Sequence, residues 1–107
     1  DAGFAAAFPG SRMCDIWSSM WKILESGGSL GNSIGRMGHG LGMLLTEWPS
    51  VHPACEVALE PGSVITLEPG MLFAEGRQLV HEENIVITDD GAEFLTRRAP
   101  PELPVIN

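Results

Sequence analysis

The sequence predicts an α+β fold, one amphipathic helix followed by an antiparallel sheet. Three observations carry the expectation: an apolar stripe of helical period in the first quarter, a glycine-dense stretch after it, and short β-branched runs punctuated by turn dipeptides in the second half. No internal repeat or low-complexity segment interrupts this order.

Asp1 to Phe8 is rich in alanine and favours helix, and Pro9-Gly10 ends it, so it reads as the last turns of a helix. From Met13 the apolar residues fall at Met13, Ile16, Trp17, Met20, Trp21 and Leu24, which line one helical face. Asp15 suits the positive end of the dipole and Gly27-Gly28 supplies the stop, giving a helix over about 12 to 26 whose Met and Trp side chains belong to the core. Between Ser29 and Gly42, the glycines at 31, 35, 38, 40 and 42 speak against a regular helix or an ordinary strand and for tight turns or close backbone approach. Trp48-Pro49-Ser50 through Pro53 reads as an exposed loop, and Glu60-Pro61-Gly62 as a turn. Strands are expected at Ser63–Glu68, Met71–Ala74, Gln78–Val80 and Glu82–Thr88, joined as a meander through Pro69-Gly70, Glu75-Gly76 and Asp89-Asp90-Gly91. The main body therefore spans 1–96. Residues 97–107, with Arg97-Arg98 and prolines at 100, 101 and 104, are expected to form an extended tail that leaves the domain and packs on a neighbour or on a missing part of the chain.

Charge narrows the functional classes. The 107 residues carry 6 Lys and Arg against 14 Asp and Glu, a formal net charge of −8, which disfavours a phosphate backbone as partner. Residues 1–46 balance three acids with three bases, so the whole excess lies in 47–107, with eleven acids and three bases. Most of these form a solvated surface, and a few are available to surround a cation. No apolar run approaches the ~18 residues of a membrane helix and the N-terminal residues lack a basic leader, so a cytoplasmic protein without a membrane partner is expected. Cys14 and Cys55 are too far apart for a CxxC motif and read as buried or half-buried thiols rather than a disulfide.

Three polar residues stand where a bland sequence would put something apolar or nothing. His39 lies in Gly38-His39-Gly40, whose glycines let backbone approach and leave the imidazole unobstructed. Glu68 ends a strand, and Pro69-Gly70 fixes where its carboxylate points. Glu82 opens another strand, in which Glu82, Asn84, Val86 and Thr88 share one face and Glu83, Ile85 and Ile87 the other. Taken singly, each also fits an ordinary surface or capping residue. Together they offer an imidazole and two carboxylates, a mixed N/O donor set suited to Mn, Fe, Co or Zn. His52 reads as an exposed loop residue, and His81 points away from the Glu82 face.

Three runs, GRMGHGLGMLLTEWPS, LEPGSVITLEPGMLF and VHEENIVITDDGAEFLT, in this order and spacing, resemble the pita-bread metallopeptidases, the family of methionine aminopeptidase, prolidase, aminopeptidase P and creatinase. PGSRMCDI also resembles the family's helix entry, so the likeness covers nearly the whole chain. The resemblance implies the C-terminal half of a pita-bread domain, a curved antiparallel sheet with a covering helix. It implies that His39, Glu68 and Glu82 are metal ligands in a two-cation centre, Glu82 bridging and Glu68 doubling as the acid/base beside the attacking water. It also implies two further aspartate ligands on a hairpin before the first helix; the sequence has no such segment, and Asp1 and Asp15 lie in the wrong context to replace them.

In the peptidase branches a second histidine lies seven residues beyond the ligand histidine; Thr46 stands there, followed by Glu47 and Trp48, and these three are the candidate substrate contacts. The leading expectation is the metal-binding half of a dinuclear hydrolase of the Xaa-Pro peptidase and creatinase kind, homodimeric when complete and acting on a short peptide or small molecule. The missing half comes from upstream sequence or a partner chain, and without it metal binds weakly or not at all. Two alternatives stand beside it: a metal-dependent lyase on the same scaffold, like dimethylsulfoniopropionate lyase, and a catalytically silent binding domain.

Overall fold

The apolar stripe forms a helix because its side chains have a sheet to pack on. In the computed structural model, which describes residues 1–32 and 34–107, a short helix α1 (Ala2–Ala5) precedes α2 (Met13–Ser26). Met13, Ile16 and Met20 are buried on the sheet, while Trp17, Trp21 and Leu24 flank them, half-buried. Trp17 and Trp21 stack at 5.6 Å, and the Trp17 Nε1–H donates to the Gly35 carbonyl at 2.9 Å, tying the helix to the glycine-rich segment.

Arg12 at the N-cap makes no side-chain cap, so the first-turn N–H groups need other acceptors. The segment 55–59 supplies them: Met13 N–H donates to Val57 O at 3.0 Å and Cys14 N–H to Cys55 O at 2.8 Å. The Arg12 guanidinium bonds the Asp15 carboxylate at 2.9 and 3.1 Å, which holds that carboxyl below its usual pKa. Gly27 closes the helix. Both cysteines are free and half-buried, as the sequence suggested.

Five strands form the main sheet in the order β2 (Glu47–Ser50), β1 (Gly38–Gly40), β3 (Val64–Leu67), β6 (Glu83–Ile87) and β7 (Ala92–Phe94), every neighbouring pair antiparallel. Ile65 and Leu67 on β3 and Ile85 and Ile87 on β6 turn toward α2 and join its buried residues in the core. Phe94 stacks on Phe4 at 4.1 Å and fastens the sheet edge to α1.

The α+β layout and the four expected strands appear, each within a residue or two of its expected ends. Three features differ. The meander is interrupted, because β4 (Gly70–Ala74) and β5 (Arg77–Val80) leave the main sheet as a separate hairpin and β6 returns to pair with β3. Pro69, with no N–H to donate, ends the β3 ladder where the chain departs. Secondly, Gly38–Gly40 and Glu47–Ser50 pair as strands where glycine density and the prolyl loop argued against it. Pro49, preceded by a cis peptide bond, is tolerated because β2 is an edge strand. Thirdly, β7 went unforeseen; its three residues give too short a pattern to register. Past β7, the Arg98 guanidinium pairs with Asp1 and covers the Phe94 ring, Ala99 N–H donates to Glu83 at 3.3 Å, and residues 100–107 are exposed.

Ile16 is fully buried at the centre of the helix–sheet contact. Ile16→Ala is expected to destabilise the fold by roughly 2–5 kcal/mol, read as a lower urea midpoint with unchanged slope.

Candidate metal centre

The ladder registers place the site. His39 pairs with Thr66 across β1 and β3, and Thr66 with Asn84 across β3 and β6, so the three form one row on the face turned away from α2. Leu67 pairs with Glu83, and the same antiparallel register extended one step sets Glu68 opposite Glu82. Period-2 alternation then puts Glu68 on the face of Thr66, and Glu82 on the face of Asn84. Glu68 is pinned at its backbone, where its N–H donates to Met37 O at 2.9 Å, and the next carbonyl, of Pro69, accepts from His81 N–H at 3.1 Å.

The glycines around His39 answer to space. A side-chain carbon on Gly38 would run into the Thr66 carbonyl, and one on Gly40 would sit 2.5 Å from the Trp48 carbonyl. Gly38 also has φ +146°, a conformation that L side chains rarely adopt. Close strand approach on both sides leaves His39 only 3% exposed. Its Nδ1 lies 2.9 Å from the Gly40 carbonyl, a contact that makes Nδ1–H the donor. Nε2 is then the lone-pair nitrogen, and it faces Glu68 Oε2 at 3.5 Å. A neutral imidazole nitrogen and a carboxylate are both acceptors, so this approach calls for a positive charge between them, a proton or a metal cation. The donor set therefore fits a divalent cation.

Among the described residues, no group of three or more His, Cys, Asp or Glu side chains is gathered closely enough to hold a metal ion, and the Glu82 side chain is exposed. The structure thus brings His39 and Glu68 together and sets Glu82 beside them through backbone register. Thr46 and Trp48 are exposed at the β1–β2 hairpin. Glu47 is half-buried and accepts the Leu44 N–H at 2.8 Å, shaping the hairpin tip. His52 is half-buried rather than exposed, since its Nδ1 accepts from Ala54 N–H at 3.2 Å and closes a local turn. His81 does point away from the Glu82 face, pairing with the buried Glu83 carboxylate at 2.9 Å. Sequence reasoning singled out neither Thr66 nor Asn84; Thr66 is completely buried, and its hydroxyl donates to Asn84 Oδ1 at 2.7 Å. A polar residue at the centre of Val64-Ile65-Thr66-Leu67 was the available signal. A half-open cavity of about 120 Å³ lies on the other side of the sheet, where Phe4, Met20, Leu24, Leu67 and Phe94 line it and Asp1, His81, Glu83 and Arg98 stand at its polar margin.

Gly38→Ala is expected to break the β1–β3 approach and cost several kcal/mol, on the order of 3, as a fall in thermal midpoint; Gly76→Ala, at an open turn, should cost less.

The model of metallopeptidase family M24 matches residues 1–90. The chain is 35% identical over 96 residues to the putative dipeptidase YkvY of Bacillus subtilis, covering 90% of this chain and 26% of that protein. It is 34% identical over 92 residues to an Xaa-Pro dipeptidase of Pyrococcus furiosus, covering 86% of this chain and 26% of that one. Among solved structures, prolidase from Pyrococcus furiosus superimposes with a TM-score of 0.83 at 31% identity over 92% of this chain and 29% of that one. Dipeptidase PepE from Mycobacterium ulcerans gives 0.82 at 26% identity over 92% and 26%. The chain spans about a quarter of the length of the curated relatives it matches. A His-centred sheet face, a family match over most of the sequence and this superposition agree: the chain belongs to metallopeptidase family M24, and its fold is the C-terminal part of the pita-bread fold.

Proposed function

We propose that this chain is the metal- and substrate-binding portion of a dinuclear-metal Xaa-Pro dipeptidase, completed by upstream sequence that supplies the remaining ligands. The observation that carries the reading is His39, buried, with its tautomer set by Gly40 and its lone-pair nitrogen turned on Glu68. His39, Glu68 and Glu82 are the ligands this chain contributes, and the N/O set suits Mn, Fe, Co or Zn. Two divalent cations, when bound, supply Lewis acidity at a scissile carbonyl and make water a stronger acid.

The chain's own residues do the rest. Glu68, half-buried with its backbone clamped by Met37, takes the proton from the attacking water and returns it to the leaving amine. Burial of His39 keeps bulk water from competing for Nε2. Thr46 and Trp48 project from the hairpin as substrate contacts, and Glu47 holds that hairpin's shape through the Leu44 N–H. Relatives named as dipeptidases and prolidases support peptide hydrolysis over the lyase alternative. No helix among the described residues is long and apolar enough to cross a membrane, and a cytoplasmic homodimer is the assembly we propose.

Calorimetric titration with Mn²⁺ and Zn²⁺, alongside hydrolysis of Xaa-Pro dipeptides, tests the reading. The 107-residue chain should bind metal weakly without turnover, and the same chain joined to its upstream sequence should do both. In that longer protein Glu68→Gln should lower kcat by at least ~10²-fold, and His39→Ala should act through lost metal affinity. Thr46→His should raise dipeptide cleavage. Equal turnover by the 107-residue chain alone would overturn the proposal.

A further inference from the structure

The residues between the ligands carry a second reading, which rests on the metal-site proposal above. Thr66 lies at the centre of the row His39, Thr66, Asn84, with no exposed surface, in a strand that is otherwise apolar. A buried hydroxyl in such a place needs a partner, and a hydrophobic strand gains nothing from it unless the partner matters. The partner is specific: Thr66 Oγ1 donates to Asn84 Oδ1 at 2.7 Å, a short bond across two strands. That contact occupies the amide's carbonyl side and fixes the plane of the group, so the NH₂ end of Asn84 is its remaining donor. Asn84 is half-buried on the face that carries Glu82, two residues earlier, and Glu68 lies diagonally across the ladder.

Carboxylates that hold cations need their orientation fixed by donors around them, since a ligand that rotates freely gives up affinity in ordering. His39 has its donor contact in Gly40 and Glu68 its backbone anchor in Met37. Glu82 stands one residue outside β6, exposed, and the side chain on its own face nearest along the strand is Asn84. We propose that Thr66 and Asn84 are a positioning pair for Glu82: the Thr66 hydroxyl orients the Asn84 amide so that its NH₂, which has no other partner among the described residues, receives the Glu82 carboxylate when Glu82 turns toward a cation shared with Glu68 and His39. Neither residue touches substrate or metal. Both act through Glu82.

The test uses the full-length protein, this chain with its upstream sequence, and calorimetric titration with Mn²⁺ as its readout. Thr66→Val and Asn84→Leu keep side-chain volume and remove the bond. Each should weaken Mn²⁺ binding by ~10–100-fold, the usual effect of losing a group that orients a ligand, and the double variant should be no weaker than the worse single one, because the two act as a unit. Thr66→Ser, which retains the hydroxyl, should bind as wild type does, whereas metal-free Thr66→Val should melt a few degrees below wild type because the amide oxygen loses its partner, so rescue of affinity by serine is the signature of positioning. Wild-type affinity in both single variants would overturn the inference while leaving the metal site standing. Weakened binding that follows a lowered metal-free melting temperature and is not rescued by serine would also overturn it, by showing a packing role. Absence of Mn²⁺ binding in the wild type would instead overturn the metal-site reading itself.

Discussion

The close approach of β1 to β3 at Gly38 is the constraint on which the rest of the site depends. With no side-chain carbon between the Gly38 backbone and the Thr66 carbonyl, the two strands meet tightly enough to bury an imidazole that a looser pairing would leave in water. Burial makes His39's hydrogen bonding compulsory, and the Gly40 carbonyl takes Nδ1. The other nitrogen is thereby committed, as an acceptor, to the direction of Glu68. One steric fact in the backbone thus fixes a tautomer, an orientation and the need for positive charge.

The same register sorts the acidic residues. Glu82 and Glu83 are adjacent, yet the pleat sends them to opposite faces with opposite consequences. Glu83 faces α2's side of the sheet, where it is buried and satisfied by His81 and the Ala99 N–H, and so ties down the chain after β7. Glu82 faces the His39 row and is exposed. Eleven acids in residues 47–107 look like a diffuse charge excess in the sequence; in the fold, two acids with opposite surroundings are separated by a single step along a strand.

What the sequence made legible follows from where the physics is local. The α2 stripe and the strands at 64–67 and 83–87 carry their own period, so they could be read without their partners. Turn chemistry and flanking glycines marked Glu68 and His39 as candidates, but their meeting at 3.5 Å rests on the β1–β3 register, which no local pattern carries. The departure of β4 and β5 from the sheet was not legible, since local pattern sets where a strand lies and non-local pairing sets its neighbours. Gly38–Gly40 showed no strand pattern because its strand character lies in what the glycines exclude. Thr66 hid inside an apolar run, and only the β3–β6 register shows that its hydroxyl meets Asn84.

The two faces of the sheet have been closed to different degrees. Toward α2, Ile65, Leu67, Ile85 and Ile87 are buried against Met13, Ile16 and Met20. On the other face the row runs from a buried histidine through a buried threonine to a half-buried asparagine, with the Glu68 and Glu82 carboxylates at its margin. A sheet stabilised by its helix side alone could have carried solvated residues on this face at no cost. Burying His39 and Thr66 there costs desolvation that their hydrogen bonds only offset, and that cost has a physical reason if the face is built to hold charge. Stability resides on the helix side of the sheet, and the face we propose for the metal lies on the other.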